Sequence, residues 1–154
     1  MAERKYEKYF LKEPFGKVMR GGLGLKVPPG TPIDKPYWIG IGQEGPEAWG
    51  FPLSMVLRPI WQQPLGYEDG GGTHSHHEGE VLYFIGGNPM NFKEFGAEVE
   101  FHIDGEQYFI TSTTFVYVPP DVPHCPLFFR KVDKPIMFGH IMFTPMYEST
   151  QQKP

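Results

Sequence analysis

The segment His74-Ser75-His76-His77-Glu78-Gly79-Glu80 gathers three imidazoles and two carboxylates behind a glycine run, Gly70-Gly71-Gly72. On a strand, side chains two apart leave the backbone on the same face. His74 and His76 therefore project together, and Glu80 joins them where the extended conformation continues. Glu78 shares that face by the same alternation and competes with Glu80. Two imidazoles and a carboxylate on one face supply most of a coordination sphere. Imidazole suits Zn, Cu, Fe and Ni, and two His with one carboxylate and open positions favour non-haem Fe(II). His77 points away from His76 and reads as a surface or supporting residue.

A second candidate lies downstream, in Val118-Pro119-Pro120-Asp121-Val122-Pro123-His124. The prolines and Asp121 shape a stiff turn that presents His124 at the start of the next strand. A barrel that laid this strand beside the first would close a site of three histidines and one glutamate. Ser-His-Asp, CxxC and glycine-rich phosphate-loop patterns are missing, so nucleophilic catalysis and nucleotide binding have no support.

These residues carry a family resemblance. The pattern His74-x-His76-x3-Glu80-x6-Gly87 resembles the first cupin motif, and Pro119-x-Asp121-x2-His124 resembles the second. The resemblance implies an all-β chain folded as a cupin-type double-stranded β-helix, a jelly-roll barrel. It also implies one divalent metal ion (Fe, Mn, Zn or Ni) held by His74, His76, Glu80 and His124, and it favours Glu80 over Glu78. Such a site leaves two coordination positions for water, substrate or dioxygen. That fits an oxygenase, isomerase, lyase or decarboxylase acting on a small organic molecule, with a general base sought among Glu78, His140 and Tyr83. A non-catalytic metal-binding or small-molecule-sensing cupin is the alternative. The chain departs from the pattern at Glu68, Thr113 and Phe128, and Asp121 stands where the turn usually carries glycine.

The elements that must position these groups are short. Gly and Pro contribute 19 and 17 of the 154 residues, and 16% of the chain is aromatic. That pairing favours a turn-rich folded domain over disorder, which is poor in aromatics. Strand-length runs rich in Val, Ile, Phe, Tyr and Thr span Trp38 to Ile41, Phe51 to Trp61, Val81 to Ile85, Ala97 to Ile103, Gln107 to Thr111, Phe115 to Val118, Leu127 to Phe129 and Ile136 to Phe143. Asp104-Gly105 between two of them is a hairpin signal. Residues 3–11 read as a short N-terminal helix with a docking aromatic side. The expected organisation is one domain over 1–154: an N-terminal arm 1–35, a barrel over about 36–148 and a solvated tail 149–154.

His140 and His102 lie in apolar strand runs and read first as packed histidines; the sharper role for His140 is a pocket residue near the metal. Cys125, the only cysteine, reads as packing. Both faces of Val81 to Ile85 and of Ile136 to Phe143 are apolar, so a second sheet or a second copy of the chain is the expected cover, and a homodimer is expected. The net charge of −4 offers no footprint for nucleic acid. No apolar run reaches the roughly 20 residues of a membrane helix. The first ten residues lack a secretory pattern, so a cytoplasmic location is expected.

Overall fold

The computed structural model describes residues 5–12, 14, 39–42, 49, 51–62, 70–144 and 150–151. The expected arm 1–35, Trp38, Glu68 and most of the expected tail lie largely or wholly outside them. Among the described residues, ten strands follow in chain order: β1 Ile39–Ile41, β2 Ser54–Ile60, β3 His74–Ser75, β4 Glu80–Gly86, β5 Ala97–Ile103, β6 Glu106–Ile110, β7 Thr114–Val118, β8 His124–Val132, β9 Ile136–Met142 and β10 Thr150–Gln151. They form two five-stranded sheets, β1-β2-β9-β4-β7 and β10-β3-β8-β5-β6. Every pairing is antiparallel. The chain is an all-β jelly roll.

Alternation decides which side chains fill the space between the sheets. On β4, Glu80, Leu82 and Phe84 face inward, opposite Met142, His140 and Phe138 of β9. β2 adds Ser54, Val56 and Arg58 in register with the same β9 residues, and Ile60 opposite Ile136. From the other sheet come Val99, Phe101, Leu127 and Phe129. Phe138 packs against Phe84 at 5.1 Å and meets Phe129 of the opposite sheet edge-on at 5.5 Å. The interior is thus divided: an aromatic core fills one end, while Glu80, His140 and His124 occupy the other.

The hairpin at Asp104-Gly105 joins β5 to β6 with φ of +48° and +79° at its two central residues. Positive φ at both matches the right-handed strand twist and suits this residue pair. The Asn88-Pro89-Met90-Asn91 segment forms an inserted loop before β5, held by Asn88 Nδ2 donating to Glu94 at 2.7 Å.

Two details are corrected. A short N-terminal helix is present as the 3-10 turn Glu7–Tyr9, but its aromatic side is not docked: Tyr6, Tyr9 and Phe10 are exposed. So short a segment cannot repay helix nucleation without packing. The tail is not wholly solvated either: Thr150 and Gln151 pair with Ser75 and His74. Backbone hydrogen bonds can recruit such a segment without any apolar pattern.

Candidate metal centre

His74 and His124 come from the two motifs and stand directly opposite each other on β3 and β8. β3 is only two residues long, so His76 lies just past its end, yet its ring turns back to the same place. Ring centroids are 4.4 Å apart for His74 and His124, 5.0 Å for His74 and His76, and 5.1 Å for His76 and His124. One ring nitrogen from each lies within 4.8 Å of the others. All three side chains are buried.

Backbone carbonyls set the orientation of two rings. Nδ1 of His74 lies 3.0 Å from the Gly72 carbonyl, and Nδ1 of His124 lies 3.0 Å from the Val122 carbonyl. A carbonyl oxygen only accepts, so Nδ1 carries the proton in both and each Nε2 keeps its lone pair. This is how proteins commonly fix the tautomer of a metal-binding histidine. The same i to i−2 device thus occurs once in each motif.

Glu80 completes the cluster from the opposite sheet. Its Oε2 is 3.1 Å from His124 Nε2 and 3.6 Å from His76 Nε2, and its Oε1 is 3.6 Å from His140 Nδ1. The carboxylate is 3% exposed. Burial pushes its pKa up, but the contact with His124 and the charges of His140, His124 and His76 outweigh that and hold it below the usual value. Burial, followed by neighbouring His124 and His76, lowers His74 despite its bond to Gly72. Burial, with Arg58 and His76, lowers His140 to about 4 against the pull of Glu80. His74 and His140 are thus held towards the neutral form and Glu80 towards the ionised one, the forms in which imidazole and carboxylate bind metal.

The motif turns are built from the residues that depart from the usual pattern. Asp121 adopts φ +61°, the conformation for which glycine is usual there. Its backbone N–H donates to the His76 carbonyl at 2.7 Å, and its carboxylate meets His77 Nδ1 at 2.8 Å. Thr113 Oγ1 accepts from Gly86 N–H at 2.9 Å and donates to the Phe92 carbonyl at 2.5 Å. Cys125 is buried in the apolar core cluster, and burial raises its thiol pKa to about 12.

The candidate bases separate. His140 faces inward beside Glu80. Glu78 is exposed in a bend, because the strand ends at Ser75 and alternation no longer applies; it does not share the histidines' face. Tyr83 lies on the outer face of β4, opposite to Glu80, with its hydroxyl donating to the Val56 carbonyl. Burial raises its pKa beyond the ordinary tyrosine value, so neither Glu78 nor Tyr83 stands as a base at this site. His77 is at the surface and His102 is bonded to Glu100 at 2.7 Å on the outside of β5. Arg58, 2% exposed on the inward face of β2, went unnoticed in the sequence. Its spacing of two from Val56 and from Ile60's phase was the available signal.

The antiparallel jelly roll, with the two histidine motifs meeting across β3 and β8, decides the architecture. The arrangement is similar to that of the cupins. Solved structures similar to this chain include DMSP lyase DddQ from Ruegeria pomeroyi, at 16% identity over 88% of this chain and 60% of that one, with a TM-score of 0.49. A cupin-like protein from Thermotoga maritima is 14% identical over 67% of this chain and 66% of that one, with a TM-score of 0.43. A cupin 2 domain-containing protein from Halorhodospira halophila is 13% identical over 75% and 69%, with a TM-score of 0.47. The chain thus spans less than two thirds of the length of the first two, and likeness at these identities concerns fold alone. No family model and no curated protein matches the chain. Among the described residues no helix is long and apolar enough to cross a membrane.

Proposed function

We propose that this chain holds one divalent metal ion with His74, His76, Glu80 and His124 and acts as a metal-dependent enzyme on a small organic molecule. The observation that carries the reading is the pair of Nδ1 contacts, His74 to Gly72 and His124 to Val122, which aims two Nε2 lone pairs into one buried space faced by Glu80.

Each residue then has a task. His74, His76 and His124 contribute neutral nitrogens, and Glu80 contributes one negative charge against the ion's two. Four such donors leave two positions open on a six-coordinate Fe, Mn, Zn or Ni. A bound ion would supply Lewis-acid polarisation of a carbonyl or carboxylate, or activation of water or dioxygen. His140 stays neutral beside Glu80 and is the one candidate base that faces the interior. Oxygenase, isomerase, lyase and decarboxylase chemistry all fit this arrangement. A reducing, cytoplasmic setting agrees with the single buried free thiol of Cys125.

A second reading has its own support. With Glu78 in solvent and Tyr83 on the outer face, the described site holds few groups able to move a proton. That favours a binding or sensing cupin without turnover. Elemental analysis of the isolated protein, followed by assay before and after chelation, separates the two. Turnover that stops on chelation and returns with one added metal supports the enzyme; stoichiometric metal with ligand binding and no turnover supports the binding module. Protein that takes up no divalent ion refutes both.

A further inference from the structure

Ser54 opens β2 on its inward face and is 0% exposed. Among the described residues its hydroxyl has no hydrogen-bond partner. Burying a hydroxyl without a partner is destabilising, and a group left so in a folded protein calls for an explanation. Its place in the sheet supplies one. Ser54 is in register with Met142 of β9, and Met142 with Glu80 of β4. Residues in register share a face, so the three side chains form one buried row across the sheet, with Glu80 at one end and Ser54 at the other. With neighbouring strands about 4.8 Å apart, the Cα atoms at the two ends of the row are about 10 Å apart. The row lies at the end of the interior that holds Glu80, His140 and His124. Gly42 fixes the backbone there from the β1 side: a Cβ on it would collide with the Leu53 carbonyl and press on Ser54 Cα at 3.1 Å.

We infer that Ser54 is a substrate-contacting residue, whose hydroxyl pairs with an oxygen function at the far end of a small organic acid bound at the open metal positions. The inference rests on the metal-centre reading above, in which Ser54 is not a ligand, and it names the substrate class of that centre. A divalent ion with one carboxylate ligand keeps a net positive charge, so the near end of the substrate is an anionic carboxylate. Reaching from the ion beside Glu80 across Met142 to Ser54 takes a short carbon chain. A serine hydroxyl both donates and accepts, so the far end is a second carboxylate or a hydroxyl. A plain short-chain acid would leave Ser54 buried and unpaired, and a site built to pair with a polar group rejects the analogue that lacks it.

The test compares three acids of matched length. Protein loaded with Mn(II), its content checked by elemental analysis, is titrated with succinate, γ-hydroxybutyrate and butyrate. Binding is read from the fall in solvent-proton relaxivity as each acid displaces water from the ion. Wild type should bind succinate or γ-hydroxybutyrate at least about tenfold more tightly than butyrate. Ser54→Ala should abolish that preference while keeping both the affinity for butyrate and the Mn(II) content. The same variant, free of any acid, should have a urea midpoint equal to or above that of wild type, because it removes a hydroxyl that the fold does not pair. A lower midpoint shows that the fold itself uses the hydroxyl and overturns the inference, whatever the affinities. Wild type that binds Mn(II) but none of the three acids, or all three equally, overturns it and leaves the metal centre intact, as does a preference that survives in Ser54→Ala. Wild type that takes up no Mn(II) or other divalent ion removes the metal centre and this inference together.

Discussion

His74 on β3 and His124 on β8 are opposed residues of an antiparallel pair, yet each ring is steered by the backbone that leads into its own strand, through the carbonyl two residues earlier. Sheet pairing brings the two rings together and local hydrogen bonds aim them. Separate devices thus set distance and direction, and a change to either motif should be felt at the site without loss of the barrel.

Replacing His76 with Ala tests the histidine trio most directly. Metal affinity should drop by more than about 100-fold, beyond what loss of a supporting partner costs, while the far-ultraviolet spectrum stays that of a β protein. His77→Ala is the companion. Its ring is in solvent and its pairing with Asp121 is an exposed one, worth at most about 1 kcal/mol. Metal content should stay stoichiometric; a loss equal to that of His76→Ala would mean the register is misassigned.

Glu80→Gln and Glu78→Gln settle which carboxylate belongs to the site. Glu80 is buried among histidines, and Gln keeps its shape without its charge. Its metal affinity should fall by at least about tenfold. Glu78 is exposed, so its Gln variant should match wild type in metal content and in any turnover. If Glu78→Gln proves the more damaging of the two, the bend that carries Glu78 away from the cluster does not persist in solution.

Much of this centre was readable in the chain before its fold was known. His74 and His76, two apart, promise a shared direction on any extended segment, and Asp104-Gly105 announces its hairpin. The failures have a common cause: alternation holds only while the strand lasts. β3 ends at Ser75, so the pattern that links His74 to His76 does not extend to Glu78. On β4 and β9 both faces are apolar, and periodicity cannot say which face turns inward. Tyr83 and His140 were therefore equivalent candidates until pairing placed one outside and the other beside Glu80. β10 has no apolar signature because backbone bonds alone recruit it.

The contact between Tyr83 and Gly139 makes a prediction about stability rather than chemistry. Tyr83 lies across β9 at Gly139, its hydroxyl on the Val56 carbonyl. A Cβ at position 139 would collide with that carbonyl and with the Tyr83 ring. Gly139→Ala should cost about 3 kcal/mol or more by chemical denaturation. Tyr83→Phe removes one hydrogen bond, at about 1 kcal/mol, and should leave metal content and any turnover unchanged. A Tyr83→Phe protein of normal stability that loses activity would return this residue to the chemistry.

The expectation of a homodimer rests on the outer face of the sheet that carries β4. A groove of about 560 Å³ there is lined by Leu57, Ile85, Phe92, Phe115 and Met137 among others, and Phe115 and Tyr117 on edge strand β7 are 63% and 62% exposed. Sedimentation equilibrium should give twice the 17.6 kDa chain mass, and Phe115→Glu should shift it towards the monomer. A wild-type protein that stays monomeric at high concentration ends that expectation.

Away from the metal centre, Glu100 should govern acid stability. Its carboxylate accepts from Arg130 Nε at 2.7 Å and meets His102 Nε2 at 2.7 Å, on the outer face of β5. The bond from Arg130, then those from His102 and Gln107, hold its pKa down at about 2, from an ordinary value of 4.5. Because the folded value is the lower one, the unfolded chain binds the proton first as pH falls. Stability from this group is complete above pH 4.5 and is lost between there and about 2. Urea denaturation of the metal-free protein should show that decline, and Glu100→Gln should flatten it while leaving stability near neutral pH reduced. A variant whose acid decline matches that of wild type would show that the Arg130 and His102 contacts do not persist in solution.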